Sequence, residues 1–453
     1  MLEKNQVLTL ECTGLGSELE GVCRQEGLPV FVPGILPGET ARVQVVKVQK
    51  GYAFGRVAEL LTESPERREP FCSCYARCGG CSGQHMSYPA TLEAKREQVL
   101  ECFNRIGGFA LTSVPPVLGM EKLDPTAGIR NKTALPIGGT RENPVLGFYR
   151  RRSHDIIPLR DCPVAMGPLG KVVEVLRDWI CSSGAEPYNE LTGKGLLRHG
   201  VFRVNRQGEW MLTLTATRDR IPKGEMLVQE LKTRVPGFIG LHLSVNSARN
   251  NVILGSTSRK LFGADVLTET IHGLTFEIPP LSFFQVNPAQ TEVLYDTAIR
   301  FAALAPTDTV VDAYCGAGTI SLCMAGRVKK VIGIEIVPQA IEGARRNAER
   351  NHITNAEFYA APVEDLLPEL VAQGLRPDVV VLDPPRKGAE PQVLKAILAA
   401  QPRRVVYVSC HVPTQARDGA LLREGGYRLE AVQPVDLFCY AGGVENVAVF
   451  VLN

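Results

Sequence analysis

The second half of the chain, from about residue 281 to the end, alternates short apolar strands with helices. The predicted strands TVVDAYC, KVIGIEIV, DVVVLDPP and RVVYVSC are almost unbroken apolar runs, and each is followed by a helical segment. Strands of this kind belong to parallel sheets that are covered on both faces. The pattern therefore predicts an α/β fold with a doubly wound sheet. Two further strands, within YRLEAVQPVDLF and NVAVFVLN, are expected to close it.

The first half of the chain divides into two predicted parts. Residues 1–62 contain short strands that Gly and Pro separate at regular intervals, which predicts a small OB-like β-barrel. Residues 63–280 contain a cysteine-rich loop, a helix over about 88–106 that is a candidate to pack on the C-terminal domain, and a mixed α/β central domain. The predicted doubly wound sheet then occupies residues 281–453.

The composition of the 453 residues limits the class of protein. The net charge of +2 predicts that any nucleic-acid-binding surface is local. The sequence contains no apolar run long enough to span a bilayer, and its N-terminus lacks a signal-peptide pattern. We expect a cytoplasmic monomer with no membrane or protein partner. Thirteen cysteines in a reducing compartment then suggest metal ligands or catalytic thiols.

Three motifs at the predicted carboxyl ends of strands indicate a cofactor site. The Gly-rich turn 312–319 includes Gly316, which allows close approach of a ligand to the backbone, and Glu335 ends the next strand. Asp383 begins a Asp-Pro-Pro motif after the fourth strand. Because the G-x-G-x-x-G spacing of dinucleotide sites is missing, the set favours S-adenosylmethionine. Enzymes that methylate exocyclic amines usually have an aromatic residue after Asp-Pro-Pro, where this chain has Arg386.

Cys410 closes the fifth strand, in VVYVSCHVPT, beside the predicted cofactor pocket. A cysteine in such a strand can be simple packing, but this position also suits a nucleophile. Addition of a thiolate to C6 of uracil would make C5 nucleophilic enough to accept a methyl group. A base must afterwards remove the C5 proton, and Glu445 in CYAGGVENVAV is the candidate, the alternative being an ordinary structural glutamate.

Together these motifs resemble those of the RNA uracil-C5 methyltransferases. The matching segments are FFQVN (283–287), DAYCGAGT (312–319), DPPRKG (383–388), VSC (408–410) and VEN (444–446). The segments VFVPGILPGE and GYAFGRVAEL resemble the TRAM domain, an RNA-binding barrel. With this barrel, the chain is most similar to the 23S rRNA branch, and the closing strands are typical of class I (Rossmann-like) methyltransferases.

The resemblance implies a role for each matching residue. Cys410 would be the nucleophile and Glu445 the proton acceptor in the formation of 5-methyluridine in 23S rRNA. The residues implied to contact S-adenosylmethionine are Gln285, Tyr314, Glu335 and Asp383. Two alternatives stay open: a tRNA uracil-C5 methyltransferase, and a non-catalytic RNA-binding protein that retains the methyltransferase fold.

The chain departs from the family pattern just before the proposed base. The family commonly has Pro-His-Thr-x-His-Val-Glu, whereas residues 439–445 read Cys-Tyr-Ala-Gly-Gly-Val-Glu. The histidines are absent and the glutamate remains. We therefore expect a different environment for Glu445 rather than a different reaction.

The cysteines of the loop before the helix have the spacing of a metal site. Cys72, Cys78 and Cys81 suit an iron–sulfur cluster or zinc. The resemblance implies a [4Fe–4S] cluster with Cys162 as the fourth ligand. Cys74 lies between these ligands and creates a spacing also found in radical S-adenosylmethionine enzymes. Those motifs belong to βα barrels, so we reject that interpretation here.

Basic residues beside aromatic ones suggest where RNA is held. Arg130 and Lys132 form one such cluster, and the segment 148–152, Phe-Tyr-Arg-Arg-Arg, forms another. The alternative for both is a solvated surface. We expect these segments and the N-terminal barrel to contact RNA.

Overall fold

The computed structural model describes residues 2–121 and 128–453. No helix within these two ranges is both long and apolar enough to cross a membrane. The chain forms a barrel, a central sheet with two helices, a short hairpin and a second sheet covered by helices.

The N-terminal strands close into a five-stranded barrel, as predicted. Its strands are β1 (Val7–Leu15), β2 (Gly21–Gln25), β3 (Leu28–Val32), β4 (Thr40–Gln49) and β5 (Tyr52–Leu60), in the order β1-β2-β3-β5-β4. Inward side chains such as Val30, Val32 and Val43 fill the interior. Gly55 lies so close to this core that a Cβ there would come within 2.3 Å of the Val43 side chain. The barrel is therefore a packed core without a channel.

Helix α1 (Tyr88–Arg105) follows the cysteine-rich loop. Its first turn is capped by the hydroxyl of Ser87, which accepts from the Ala90 N–H. Val99 and Phe103 on its apolar face pack into the core of the C-terminal domain. The helix is thus part of that domain in space, although the central sheet separates the two along the chain.

The central domain is a seven-stranded sheet that is mostly antiparallel. The elements are β6 (Lys132–Gly139), β7 (Pro144–Tyr149), β8 (Ile156–Pro158), α2 (Leu169–Ser183), β9 (Leu197–Val204), β10 (Trp210–Ala216), α3 (Gly224–Arg234), β11 (Phe238–Val245) and β12 (Ser258–Gly263). The strand order is β12-β11-β10-β9-β6-β7-β8. Within the described residues of this sheet, β10 and β11, which α3 connects, are the only parallel pair. Helices α2 and α3 pack on this sheet to form its core.

The C-terminal domain is the predicted doubly wound sheet. Its elements are α4 (Pro288–Ala302), β15 (Thr309–Ala313), α5 (Thr319–Ala325), β16 (Lys330–Glu335), α6 (Pro338–Arg350), β17 (Ala356–Ala360), α7 (Val363–Ala372), β18 (Val379–Leu382), α8 (Pro391–Ala400), β19 (Arg404–Ser409), α9 (Val412–Glu424), β20 (Tyr427–Val435) and β21 (Glu445–Leu452). The order is β17-β16-β15-β18-β19-β21-β20, and only β21 runs against the others. The order reverses between β15 and β18, where such sheets bind ligands.

A hairpin of β13 (Leu267–Ile271) and β14 (Leu274–Ile278) lies just before the predicted boundary near residue 280. Its apolar residues belong to the core of the C-terminal domain. Glu277 forms ion pairs with Arg346 and Arg350 of α6. The apolar side of the hairpin therefore packs in the C-terminal domain, and its first strand also accepts hydrogen bonds from Asn205 and Arg206, which directly follow β9 of the central sheet.

Candidate active site

A cavity of about 670 Å³ opens at the carboxyl ends of β15, β16, β18 and β19. The residues that the sequence singled out for cofactor binding, nucleophilic attack and proton removal all line it: Gln285, Tyr314, Gly316, Glu335, Asp383, Cys410 and Glu445. Strands far apart in the sequence deliver them to one place because parallel strands end at the same edge of the sheet.

The Gly-rich turn after β15 has a backbone that is open toward the cavity. Tyr314 and Gly316 have φ angles of +69° and +55°, and a Cβ at Gly316 would meet no atom within 4 Å. The Gly316 N–H donates to the Glu335 carboxylate at 3.3 Å, which ties the turn to the end of β16. Within the described chain, the buried Tyr314 hydroxyl has no hydrogen-bond partner. The turn thus offers a ligand both backbone access and an unpaired polar group.

Two buried carboxyl groups, those of Asp312 and Asp383, line the cavity. Desolvation, together with Glu335, raises the pKa of Asp312 to about 7, and desolvation beside Asp312 raises that of Asp383 to about 7. The Ser321 hydroxyl donates to Asp312 at 2.5 Å, while the second carboxylate oxygen has no partner among the described residues. A cationic ligand would stabilise the ionised form of these carboxyl groups and so offset the cost of their burial. The pair therefore fits S-adenosylmethionine, which carries a sulfonium and an ammonium group.

Cys410 and Glu445 meet in the same cavity, close enough to Asp383 for its charge to raise the pKa values of both. Cys410 directly follows β19, Glu445 begins β21, and the two strands pair with Ser409 opposite Asn446. Burial, with a further contribution from Glu445, raises the pKa of Cys410 to about 11. Burial also raises the pKa of the Glu445 carboxyl well above its usual range. The arrangement places a thiol and a carboxyl group side by side at the edge of the cofactor cavity.

The central domain holds the segment that carries Gln285. The Asn131 side chain donates to the Gln285 carbonyl at 3.0 Å, and its backbone N–H donates to Val286 at 2.8 Å. Arg203 of β9 donates to the Ser282 carbonyl. Gln285 is thereby fixed against the cavity from outside the C-terminal domain.

Three further cavity residues were not selected from the sequence. Phe283 stands at the cavity with 73% of its surface exposed, and Asp312 lies at its buried side. Arg386 lies close enough to lower the pKa values of both Cys410 and Glu445. All three fall within the quoted motifs FFQVN, DAYCGAGT and DPPRKG, so their position beside predicted residues was the available signal.

Residues 439–445, which depart from the family pattern, pack against the barrel. A Cβ at Gly442 would lie 2.3 Å from the Ser17 carbonyl oxygen and 2.6 Å from the Glu18 Cα, so a side chain has no room there. The Tyr440 carbonyl accepts hydrogen bonds from the Ser82 and Gly83 N–H groups of the cysteine-rich loop. Close packing between these segments accounts for at least one of the two glycines before Glu445.

The predicted cluster ligands lie around a second, smaller cavity of about 240 Å³. It is lined by Cys72, Cys74, Cys78, Cys81 and Cys162. Burial raises the pKa of Cys81 to about 12 and raises those of Cys78 and Cys162. In residues 2–121 and 128–453, no three Cys, His, Asp or Glu side chains converge tightly enough to hold a metal ion. The thiols therefore share a cavity without forming a closed ligand set.

The basic residues predicted to hold RNA are partly engaged within the protein. Arg130 and Lys132 line the cysteine cavity, where burial and the charges of Arg203 and Arg130 lower the pKa of Lys132 to about 8. Arg151 donates to the Cys81 carbonyl at 2.7 Å, and the Arg152 guanidinium lies 4.2 Å from the ring centre of Phe54 in the barrel. These contacts join the central domain to the cysteine loop and the barrel.

Comparison with known proteins supports the two terminal domains. Residues 304–418 match the family described as a methyltransferase domain, and residues 2–58 match the TRAM domain. A protein of Listeria innocua named an uncharacterized RNA methyltransferase is 43% identical, over 100% of this chain and 99% of its own length. One of the same description from Halalkalibacterium halodurans is 41% identical, over 100% of this chain and 98% of its own.

A solved structure is similar over nearly the whole chain. It is the tRNA (uracil-54, C5)-methyltransferase of Pyrococcus abyssi in complex with S-adenosyl-L-homocysteine, 27% identical, with a TM-score of 0.78. The match covers 98% of this chain and 100% of the Pyrococcus chain. With full-length relatives above 40% identity and a cavity suited to the cofactor, this chain belongs to the family of S-adenosylmethionine-dependent RNA methyltransferases that the Listeria and Halalkalibacterium proteins represent.

Proposed function

We propose that the protein methylates C5 of a specific uridine in 23S rRNA and forms 5-methyluridine. The observation that carries this proposal is the adjacency of Cys410 and Glu445 within the cavity that also contains the cofactor residues. Methylation of an amine or a ribose oxygen needs no thiol nucleophile. A thiol and a carboxyl group side by side suit the two steps that a pyrimidine C5 requires.

In this proposal, different residues of the chain bind the cofactor, attack the base and remove the proton. S-adenosylmethionine supplies an electrophilic methyl group, and Gln285, Glu335 and Asp383 bind and orient it. The Cys410 thiolate attacks C6 of uracil, and the electrons of the C5–C6 bond move toward O4, so that C5 becomes nucleophilic. After methyl transfer, which would leave S-adenosylhomocysteine, Glu445 takes the C5 proton. The electrons of the C5–H bond then restore the C5–C6 double bond and expel the thiolate from C6.

Arg386 is expected to assist the first step. Its charge lowers the pKa values of both Cys410 and Glu445 and thus favours their ionised forms in a cavity where burial opposes ionisation. Phe283, exposed beside the cavity, offers a ring on which a flipped base can stack.

We also propose a [4Fe–4S] cluster held by Cys72, Cys78, Cys81 and Cys162. The shared cavity supports this ligand set, and Arg130 with Lys132 would balance the negative charge of four thiolates. The reaction transfers no electrons, so the cluster would hold the cysteine loop against the central sheet. The fit requires the thiols to turn toward one another, and zinc remains the alternative.

We also propose that the barrel binds RNA next to the target uridine. Phe31, Tyr52 and Phe54 form a cluster of rings whose centres lie 5.5–6.0 Å apart. Such rings stack unpaired bases with little regard to sequence. Tyr52 is exposed at this cluster and is available for such stacking.

A tRNA substrate is the second candidate, because the similar Pyrococcus structure is named for uracil 54 of tRNA. Mapping 5-methyluridine in rRNA and tRNA from cells with and without the gene tests both. Loss of the modification at a 23S rRNA uridine is expected. Loss only in tRNA would move the proposal to the second candidate, and no loss in either RNA would contradict uracil-C5 methylation.

A further inference from the structure

A second large cavity, of about 710 Å³, lies in the central domain. It opens beside the turn between β6 and β7 and is bordered by the loops around residues 188–191 and 249–251. In the described part of the chain it shares no lining residue with the active-site cavity. Nothing in the proposed chemistry uses it, so its lining must be explained separately.

Aromatic rings and a guanidinium provide flat surfaces in this cavity. The Tyr149 and His154 rings lie 5.1 Å apart. The Arg198 guanidinium lies 5.1 Å from the centre of the Tyr188 ring. It is held there by three hydrogen bonds that it donates to backbone carbonyls, those of Asn246, Ala248 and Asn250. Rings and guanidinium planes of this kind stack on nucleobases.

The carboxylate of Glu190 makes this cavity suitable for a ligand that donates hydrogen bonds. Glu190 accepts hydrogen bonds from the Tyr149 hydroxyl at 2.7 Å and from His154 Nδ1 at 2.6 Å, and these contacts lower its pKa despite partial burial. Burial and the charge of Arg198 lower the pKa of His199 to about 4, so its imidazole is neutral at physiological pH. An ionised carboxylate beside a neutral histidine accepts hydrogen bonds from N–H donors. The guanidinium groups that line the cavity, those of Arg198 and Arg249, already donate to backbone carbonyl groups.

The carboxylate of Glu190 retains the capacity to bind a ligand. Each of its two oxygens receives one hydrogen bond and has a further lone pair. The side chain is part-exposed at the cavity surface. Guanine presents adjacent donors, N1–H and N2–H, that match two carboxylate oxygens, whereas uracil presents one donor between two carbonyl oxygens.

An apolar side chain stands next to Glu190 on a rigid turn. Leu191 is 93% exposed. The Asn189 side chain accepts from the Leu191 and Thr192 N–H groups, and the Asn189 N–H donates to the Lys194 carbonyl, so the turn is well ordered. Nucleic-acid-binding proteins insert such exposed leucines between bases to unstack them.

We propose that this cavity binds one unstacked, amino-bearing base of the RNA substrate, preferentially guanine, with Leu191 inserted into the stack from which that base has turned. Glu190 accepts hydrogen bonds from the N–H groups of the base, and Tyr149 and His154 provide the stacking surfaces. The site would hold the RNA at a point outside the catalytic cavity and would contribute to the choice of substrate. The inference rests on the proposed action on RNA, but not on the chemistry at C5.

The test measures binding of short oligouridine probes that carry one central guanosine, adenosine, cytidine or uridine. Fluorescence anisotropy without S-adenosylmethionine gives the affinities. The wild-type protein is expected to bind the guanosine probe about tenfold more tightly than the all-uridine probe, because charge-assisted hydrogen bonds to the base are gained. Glu190→Gln should remove this preference, and Leu191→Ala should weaken all four probes.

Two matched controls separate the site from general effects. Glu186→Gln changes a nearby exposed carboxylate outside the cavity, and Leu421→Ala removes an exposed leucine on α9. Both should bind like wild type, and all four variants should keep their affinity for S-adenosylhomocysteine. Equal binding of the four probes by the wild-type protein, or an unchanged guanosine preference in Glu190→Gln, would overturn the proposal. Absence of 5-methyluridine formation, measured separately on rRNA and tRNA, would instead overturn the proposed reaction and leave the base preference intact.

Discussion

Cys410 directly follows β19 and Glu445 begins β21, so both lie one residue beyond the pair that Ser409 and Asn446 form between these antiparallel strands. The register of β19 and β21 thus brings the thiol and the carboxyl group together at the edge of the sheet. Because they are 35 positions apart in the chain (410 and 445), their adjacency depends on the insertion of β21 next to β19.

The reactivity of Cys410 toward an alkylating agent should rise with pH. Its pKa is raised to about 11, so the thiol predominates in the free enzyme and the reactive thiolate increases about tenfold per pH unit from about pH 8 to 10. Glu445→Gln should lower this pKa and accelerate alkylation at pH 8, whereas Arg386→Met should slow it. Peptide mass spectrometry of iodoacetamide-treated protein follows the rate.

The exposed Cys181 is the internal control for this experiment. Its alkylation should be the same in all variants. If Glu445→Gln leaves the pH profile of Cys410 unchanged, the electrostatic coupling between the two groups is absent.

Binding of S-adenosylmethionine should weaken as the pH falls below about 7. Asp312 and Asp383 both have pKa values near 7 and lose their negative charge on protonation, so a cationic ligand loses its partners. Calorimetric titration at pH 8 and pH 6 should show a decrease of about tenfold. Asp383→Asn should bind weakly at both pH values with a flatter dependence. Glu369→Gln, on α7 outside the cavity, should behave like wild type, and an equally steep dependence in Asp383→Asn would contradict the assignment.

A buried ion pair should anchor α1 to the segment that leads to Glu445. Lys95 and Asp436 are both fully buried and lie 2.5 Å apart, and Lys95 also donates to the Phe438 carbonyl. Lys95→Met leaves a buried charge without its partner and should lower the free energy of unfolding by about 3–5 kcal/mol. Urea denaturation measures the loss.

The double variant Lys95→Met/Asp436→Leu separates charge from packing. It should recover part of the lost stability, because no unpaired charge remains. Arg105→Met, which breaks an exposed pair with Glu101, should cost less than about 1 kcal/mol. Equal losses in the single and double variants would show that packing, rather than the charge, is responsible.

Much of the fold was predictable because the apolar strands and helices of residues 281–453 alternate without interruption. Glu335, Asp383 and Cys410 followed from motifs at strand ends, where the topology of a parallel sheet leaves few alternatives. The contacts of Gln285 and Tyr314 with the cofactor were implied only by the resemblance to a family. Contacts between distant segments were not predictable: Asn131 and Gln285 are 154 positions apart, and Lys95 and Asp436 are 341 apart. Side-chain packing decides such pairs, and a single sequence carries no local sign of them.

The same limit applies to the basic clusters. Arg151 and Arg152 follow two aromatic residues, and this local pattern suggested RNA contact, with a solvated surface as the alternative. In the structure their side chains contact the cysteine loop and the barrel. A charge pattern cannot distinguish a phosphate partner from a carbonyl or ring of the same protein, because both attract a guanidinium.

Anaerobically purified protein should contain about four irons per chain and be brown. Alanine at Cys72, Cys78, Cys81 or Cys162 should bleach it, whereas alanine at the exposed Cys181 should not. Iron analysis and the visible spectrum check this. Colourless protein with one zinc would contradict the cluster, and retained iron in Cys162→Ala would identify Cys74 as the fourth ligand.

The central claim concerns the separate roles of Cys410 and Glu445, and trapping of the RNA tests it most directly. Glu445→Gln, incubated with S-adenosylmethionine and substrate RNA, should accumulate a covalent adduct that survives a denaturing gel. Mass spectrometry should locate a methylated uridine on Cys410, and Cys410→Ala/Glu445→Gln should give no adduct while still binding the cofactor. Near-normal 5-methyluridine formation by Cys410→Ala, or turnover by Glu445→Gln without an adduct, would contradict the mechanism.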